Sequence, residues 1–162
     1  MTVVLDPPLD RVSLQARPYP ADMLPPGGSG LLLFAAGFLG VNDAIHFARR
    51  QMVCMCVDTN QARLAAMRLL YPHNWAFTAA DAWQFAETAK ADGAGWDVVS
   101  VDTFTGDATD RSLETLDLWC SLARHAVTAT VTYGHDYTVP DGWSGYLFPR
   151  SDRAAWLVLQ RD

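Results

Sequence analysis

The chain has 162 residues, 50% of them hydrophobic and 11% aromatic, which is enough apolar surface for one ordinary domain and too much for a disordered chain or a small disulfide-stapled scaffold. Eighteen acidic residues against twelve basic give a net charge of -6, and no Lys/Arg cluster exceeds the pair Arg49-Arg50, so nucleic acid is disfavoured as a partner. Three cysteines make an odd count. Cys54 and Cys56 alternate inside the apolar run 52–57, where buried reduced thiols are expected and no metal site is.

Residues 1–30 hold six of the nine prolines and end in Gly27-Gly28-Ser29-Gly30, and they read as a lead-in arm with little regular structure. Its first fifteen residues carry Asp6, Asp10 and Arg11 and have no long apolar core, so no signal peptide is expected. No apolar run reaches the length of a membrane span, and a soluble, cytoplasmic protein is the expectation. From Leu31 onward, residues 31–162 form the domain proper.

Short apolar runs at 31–36, 52–57, 75–78, 97–101 and 126–132 read as five buried strands. Between them apolar residues recur at helical spacing: Ala44, Phe47 and Ala48; Leu64, Met67 and Tyr71; Phe85, Ala86 and Ala89. A fourth helix is predicted over 110–124, with Leu113, Leu116, Trp119, Cys120 and Ala123 on one stripe and Asp110 as its cap. Alternation of strand and helix implies a parallel sheet covered on both faces. Two further runs, 145–148 and 154–159, are joined by Pro149-Arg150-Ser151-Asp152-Arg153 and form a hairpin, hence an antiparallel edge. The prediction is one α/β domain of about seven strands.

In such sheets ligands bind beyond the carboxyl ends of the strands, where strand order reverses. The residues there are polar. Gly37 and Gly40 follow the first strand, Asp58 and Thr59 the second, Asp81, Ala82 and Trp83 the third, and Asp102 the fourth. Glycines permit a tight turn and a close backbone approach, and Asp58 stands 21 residues after Gly37, about the spacing at which an acid meets a ribose hydroxyl. Each acid also has a structural reading: Asp58 as cap of the helix from Gln61, Asp81 as cap of the helix from Ala82, and Asp102 in a turn with Thr103.

The ordered set from Leu31 to Asp107 resembles the core of class I S-adenosylmethionine-dependent methyltransferases. The resemblance implies a Rossmann-like three-layer sandwich with a mostly parallel seven-stranded sheet and a C-terminal antiparallel hairpin. It also implies S-adenosylmethionine as cofactor, with Gly37, Phe38 and Gly40 under the methionine portion, Asp58 and Thr59 at the ribose, Asp81 at the adenine amino group and Ala82 and Trp83 beside the ring. Asp102 would sit by the transferred group. The run from Asp102 to Asp107 is similar to that of spermidine-synthase-like members and lacks the box used by base N-methylating enzymes, so a small-molecule or protein acceptor is expected in preference to nucleic acid.

His135, after the fifth strand, is the candidate general base. His46 and His73 read as helix-face and turn residues. Trp143 and Tyr146 read as hairpin packing rather than an acceptor wall. The short cap available to the acceptor leaves an open site or one completed by a second subunit, as in a homodimer.

The sequence departs from the family pattern at Ala35, where an acid is usual, and at Leu39, where a glycine is usual. Those two positions carry the alternative, a catalytically inactive methyltransferase-like scaffold serving as a binding or regulatory subunit. A dehydrogenase is disfavoured by the missing Gly-x-Gly-x-x-Gly, and a serine hydrolase by the missing Gly-x-Ser-x-Gly.

Overall fold

The computed structural model describes residues 2–4, 27–36, 38–103, 111–132, 136–149 and 154–162. Strands and helices alternate from β2 (Ser29–Leu33) through α1 (Phe38–Arg49), β3 (Val53–Asp58), α2 (Gln61–Leu70), β4 (Ala76–Ala79), α3 (Ala82–Ala91) and β5 (Trp96–Val101). Helical residues 111–114 and α4 (Leu116–Leu122) then lead into β6 (Ala123–Thr132), and β8 (Trp143–Pro149) and β9 (Ala154–Arg161) complete the main sheet. A separate antiparallel pair is formed by β1 (Thr2–Val4) and β7 (Asp136–Thr138).

The seven-stranded sheet has the order β4-β3-β2-β5-β6-β9-β8. Its first five strands are parallel, and β9 runs antiparallel to both β6 and β8. The three-layer architecture and the antiparallel hairpin expected from the sequence are therefore present, with β9 rather than β8 against the parallel strands.

Strand alternation sorts the core into two layers. Leu31 and Leu33 of β2 join Val99 and Val101 of β5 and Ala82, Ala86 and Trp119 in the cluster beneath α3 and α4. Leu32 and Val98 point the other way and pack with Ala44, Phe47, Leu64 and Met67 of α1 and α2. Continuous apolar strands are what a sheet buried on both faces requires.

The three thiols are buried and free, and burial pushes those of Cys56 and Cys120 up to about 12. Among the described residues no helix is long and apolar enough to cross a membrane, and no group of His, Cys, Asp and Glu side chains could hold a metal ion.

Several boundaries differ from expectation, three of them for a physical reason. β2 begins at Ser29 and ends at Leu33, because Phe34 takes a φ of 60° and turns the chain out of the sheet. The fourth helix ends at Leu122, not Arg124: Ala123 already pairs with Trp96, and the Arg161 guanidinium donates to the carbonyls of Cys120 and Ala123, satisfying the helix C-terminus. Finally, β1 lies inside the expected arm and is ordered by pairing Thr2 with Thr138. Asp110, the expected helix cap, is outside the described residues.

At the amino-terminal edge of the sheet, Gly28 adopts φ +89°, and a Cβ there would stand 2.6 Å from Asp97 Oδ2. That carboxylate accepts from the Ser29 amide at 2.8 Å and lies 3.4 Å from Arg124 Nη1. The Ser29 amide, and secondarily the neighbouring Arg124 and His125, hold the Asp97 carboxyl below its ordinary range.

Candidate functional site

Strand order reverses between β3 and β5, on either side of β2, so the crevice at the carboxyl ends of these strands is where a ligand is expected. Parallel pairing brings the ends of β2, β3, β4 and β5 to one edge. Asp58 closes β3, Asp81 follows β4 and Asp102 follows β5, so the three acids stand along that edge.

Three backbone groups tie down the turn after β2. Ala35 N donates to Val57 O at 3.1 Å, Ala36 N donates to Asp58 Oδ2 at 3.0 Å, and Arg63 Nη1 reaches Ala36 O at 3.2 Å. Ala35 and Ala36 are both buried. The burial of Ala35 gives the departure from an acid at that position a physical setting, since a carboxylate in that packed layer would need a partner of its own. Phe38 and Gly40 fall in the first turn of α1. Gly37 and His135 lie outside the described residues.

Asp58 works as a brace. One oxygen holds Ala36 N and the other accepts from Asn60 N at 2.9 Å, which couples the turns after β2 and β3. It does not cap α2; Asn60 does, accepting from Arg63 N at 3.0 Å, with Thr59 exposed between them. Asp81 does cap its helix: Oδ1 accepts from Gln84 N at 3.0 Å, while the residue stays exposed.

Ala82 is buried behind Asp81, and Trp83 is half-buried. The Trp83 ring meets Phe34 edge-on at 5.1 Å, its Nε1 donates to Thr115 Oγ1 at 3.4 Å, and the Arg111 guanidinium lies 3.9 Å from its centroid. Phe34 therefore holds a left-handed backbone conformation, costly for an aromatic residue, at the foot of this stack.

Asp102 is only 7% exposed. Its Oδ1 accepts from Thr130 Oγ1 at 2.9 Å, and Ser100 Oγ lies 3.4 Å from Oδ2. The Asp102 amide reaches Leu33 O at 3.4 Å, which links the ends of β5 and β2, whereas Thr103 pairs with Ser112. The carboxylate thus accepts from a cross-strand hydroxyl, that of Thr130, and from the hydroxyl of Ser100 on its own strand.

Arg111, Phe34 and Thr130 escaped the sequence reading. A signal existed for Thr130: Thr128 and Thr130 alternate in the fifth parallel strand, so their hydroxyls share one face. The contact between Arg111 and Trp83 has no such local trace.

Other predicted positions lie elsewhere. His46 is on α1 and His73 in an exposed turn, Trp143 is buried under Arg161 at 4.5 Å, and Tyr146 is exposed on β8. A separate cleft of about 440 Å³ runs between residues 113–117 and 136–141; its described lining includes four acids, Glu114, Asp117, Asp136 and Asp141, but none of the three edge carboxylates.

No protein-family model and no curated protein matches the sequence. Solved structures do. The candidate methyltransferase yhhF of Escherichia coli aligns with a TM-score of 0.64 at 18% identity, over 87% of this chain and 79% of that one. A SAM-dependent methyltransferase from Agrobacterium tumefaciens gives 0.58 at 10% identity, over 88% and 58%. A candidate rRNA methylase from Clostridium thermocellum gives 0.58 at 12% identity, over 86% and 89%. At these identities the likeness is one of fold, and this chain has the Rossmann-like fold of S-adenosylmethionine-dependent methyltransferases.

Proposed function

We propose that this protein is an S-adenosylmethionine-dependent methyltransferase with a small-molecule or protein acceptor. The observation that carries the reading is the row of Asp58, Asp81 and Asp102 at the ends of β3, β4 and β5, flanking the point where strand order reverses, in a fold shared with such enzymes.

The donor chemistry suits the cofactor. A carboxylate accepts about four hydrogen bonds, and Asp58 spends one per oxygen on backbone amides, which leaves capacity for a ribose diol. Asp81 is exposed and has spent one acceptor site on Gln84 N, so it can take the exocyclic amino group of adenine. Ala82 and Trp83 would flank the ring, with Gly37, Phe38, Gly40 and Thr59 lining the rest. The bound cofactor supplies an electrophilic methyl group on a sulfonium centre.

In this reading Asp102 takes the proton that the acceptor's nucleophilic atom sheds. Thr130 donates to Asp102 Oδ1 and Ser100 to Oδ2, which would fix the orientation of the carboxylate for that transfer. His135 is the second candidate for the role. Exclusion of water and alignment supply much of what such a transfer needs.

A nucleic-acid acceptor is a second reading, favoured by the likeness to the candidate rRNA methylase, while the net charge of -6 weighs against it. The test is calorimetric titration with S-adenosylmethionine and S-adenosylhomocysteine of the wild type and of Asp58→Ala and Asp81→Ala, each checked for folding by circular dichroism. Micromolar binding weakened in both variants is the expected result. A folded wild type that releases no heat would overturn the proposal in favour of a non-catalytic scaffold.

A further inference from the structure

A cation stacked on Trp83, two residues beyond Asp81, has a role that methyl transfer alone does not give it. Arg111 lies in the helical segment that follows β5, and its guanidinium lies 3.9 Å from the centroid of the Trp83 ring. The same ring is fixed from its edge by Phe34 and through Nε1 by Thr115, so the platform under the guanidinium does not turn freely. Arg63, at the end of β2, is committed to Ala36 O. Arg111 is exposed; its backbone carbonyl accepts from Thr115 Oγ1 at 2.7 Å, while among the described residues its guanidinium has the Trp83 ring as its partner and no hydrogen bond or ion pair.

A guanidinium that lies on an aromatic ring uses its face for that contact and keeps its N–H donors in the plane, aimed outward. The stack also restricts the rotamers of a long side chain, so less entropy is lost when those donors engage a ligand. Along this edge Asp58, Asp81 and Asp102 would repel an anionic acceptor, and Arg111 is placed to offset that repulsion.

We propose that Arg111, held on Trp83, recognises an anionic group of the acceptor, a phosphate or a carboxylate presented to its N–H edge. The assignment rests on the methyltransferase reading for the word acceptor, and on the geometry alone for the anion. It makes Arg111 a specificity-determining residue.

The experiment uses ¹⁵N-labelled full-length protein saturated with S-adenosylhomocysteine, with the Arg111 Nε–H and Trp83 Nε1–H signals assigned through Arg111→Lys and Trp83→Phe. Inorganic phosphate is titrated in one arm and acetate in the other, at constant ionic strength. The expected result is a saturable shift of both signals. In Arg111→Gln the Trp83 signal should respond about tenfold more weakly, the ratio carried by one charge-assisted hydrogen bond. The arm that saturates at lower concentration identifies the group as phosphate or carboxylate.

Signals that stay still in both arms, while S-adenosylhomocysteine is bound, overturn the proposal. So does an equal response of Trp83 in Arg111→Gln, which would mark a general salt effect. If S-adenosylhomocysteine does not bind, the methyltransferase reading fails and the assignment to an acceptor falls with it. The two anion arms, run without it, still report whether Arg111 binds an anion.

Discussion

Replacing Asp58 by Ala removes the acceptor for two backbone amides that differ in their surroundings. The amide of Asn60 is exposed, and water replaces the lost bond at little cost. The amide of Ala36 belongs to a buried residue, so its loss leaves a donor without its partner, at a cost of about 2 kcal/mol. For a chain of 162 residues, with an unfolding entropy of about 2.1 cal/mol/K per residue, that cost lowers Tm by about 6 °C. Asp58→Asn keeps a carbonyl oxygen for Ala36 and gives up only the charge, so about half the loss is expected, near 3 °C. Thermal unfolding followed by circular dichroism at pH 7 measures both. An Asp58→Ala variant that melts with the wild type would refute the brace. Asn that melts as low as Ala would refute the separation of hydrogen bond from charge.

Further outcomes follow from the same contacts. Thr130→Val should cost about 2 kcal/mol in urea unfolding, because it removes a donor 2.9 Å from a buried carboxylate, and Thr130→Ser should recover most of it. The Asp97 carboxyl is held below its ordinary range in the fold, so its stabilising effect is present above the unfolded value of about 3.9 and is lost as pH falls through the folded value. Asp97→Asn should therefore be less stable than the wild type at pH 7, with the gap closing below about pH 4; a gap that is constant with pH would contradict this. Burial of the Cys54, Cys56 and Cys120 thiols with raised pKa values predicts that a disulfide reagent at pH 8 modifies none of them promptly in the native protein and all three in guanidinium.

The strands were legible because each carries a short, largely apolar run, and a sheet covered on both faces demands that pattern. Their ends were less so. Phe34 and Ala35 look like a continuation of β2, yet the chain turns there and its amides donate to acceptors on β3 that no local pattern announces. Arg124 fits helical periodicity and was lost to the pairing of β6 with β5 and to the reach of Arg161 across 38 residues to Ala123 O. The β1–β7 pair joins two three-residue segments from opposite ends of the sequence, too short for any periodicity to register.

At the site, the positions of the acids were readable from strand ends, but their duties were not. Asp58 and Asn60 are both competent caps two residues apart, and the choice between them is made by the amide of Ala36, 22 residues upstream of Asp58. The Arg111–Trp83 stack is a contact between residues 28 positions apart, set by how α3 and the segment before α4 share one face of the sheet.

In the proposed function the nucleoside of S-adenosylmethionine lies along the carboxyl ends of β2, β3 and β4. Titration of ¹⁵N-labelled protein with S-adenosylhomocysteine tests it most directly. The largest shifts are expected on the amides of Ala36, Asn60 and Gln84 and on the Trp83 indole N–H. Shifts confined to the acidic cleft between residues 113–117 and 136–141, or none at millimolar ligand, would contradict it.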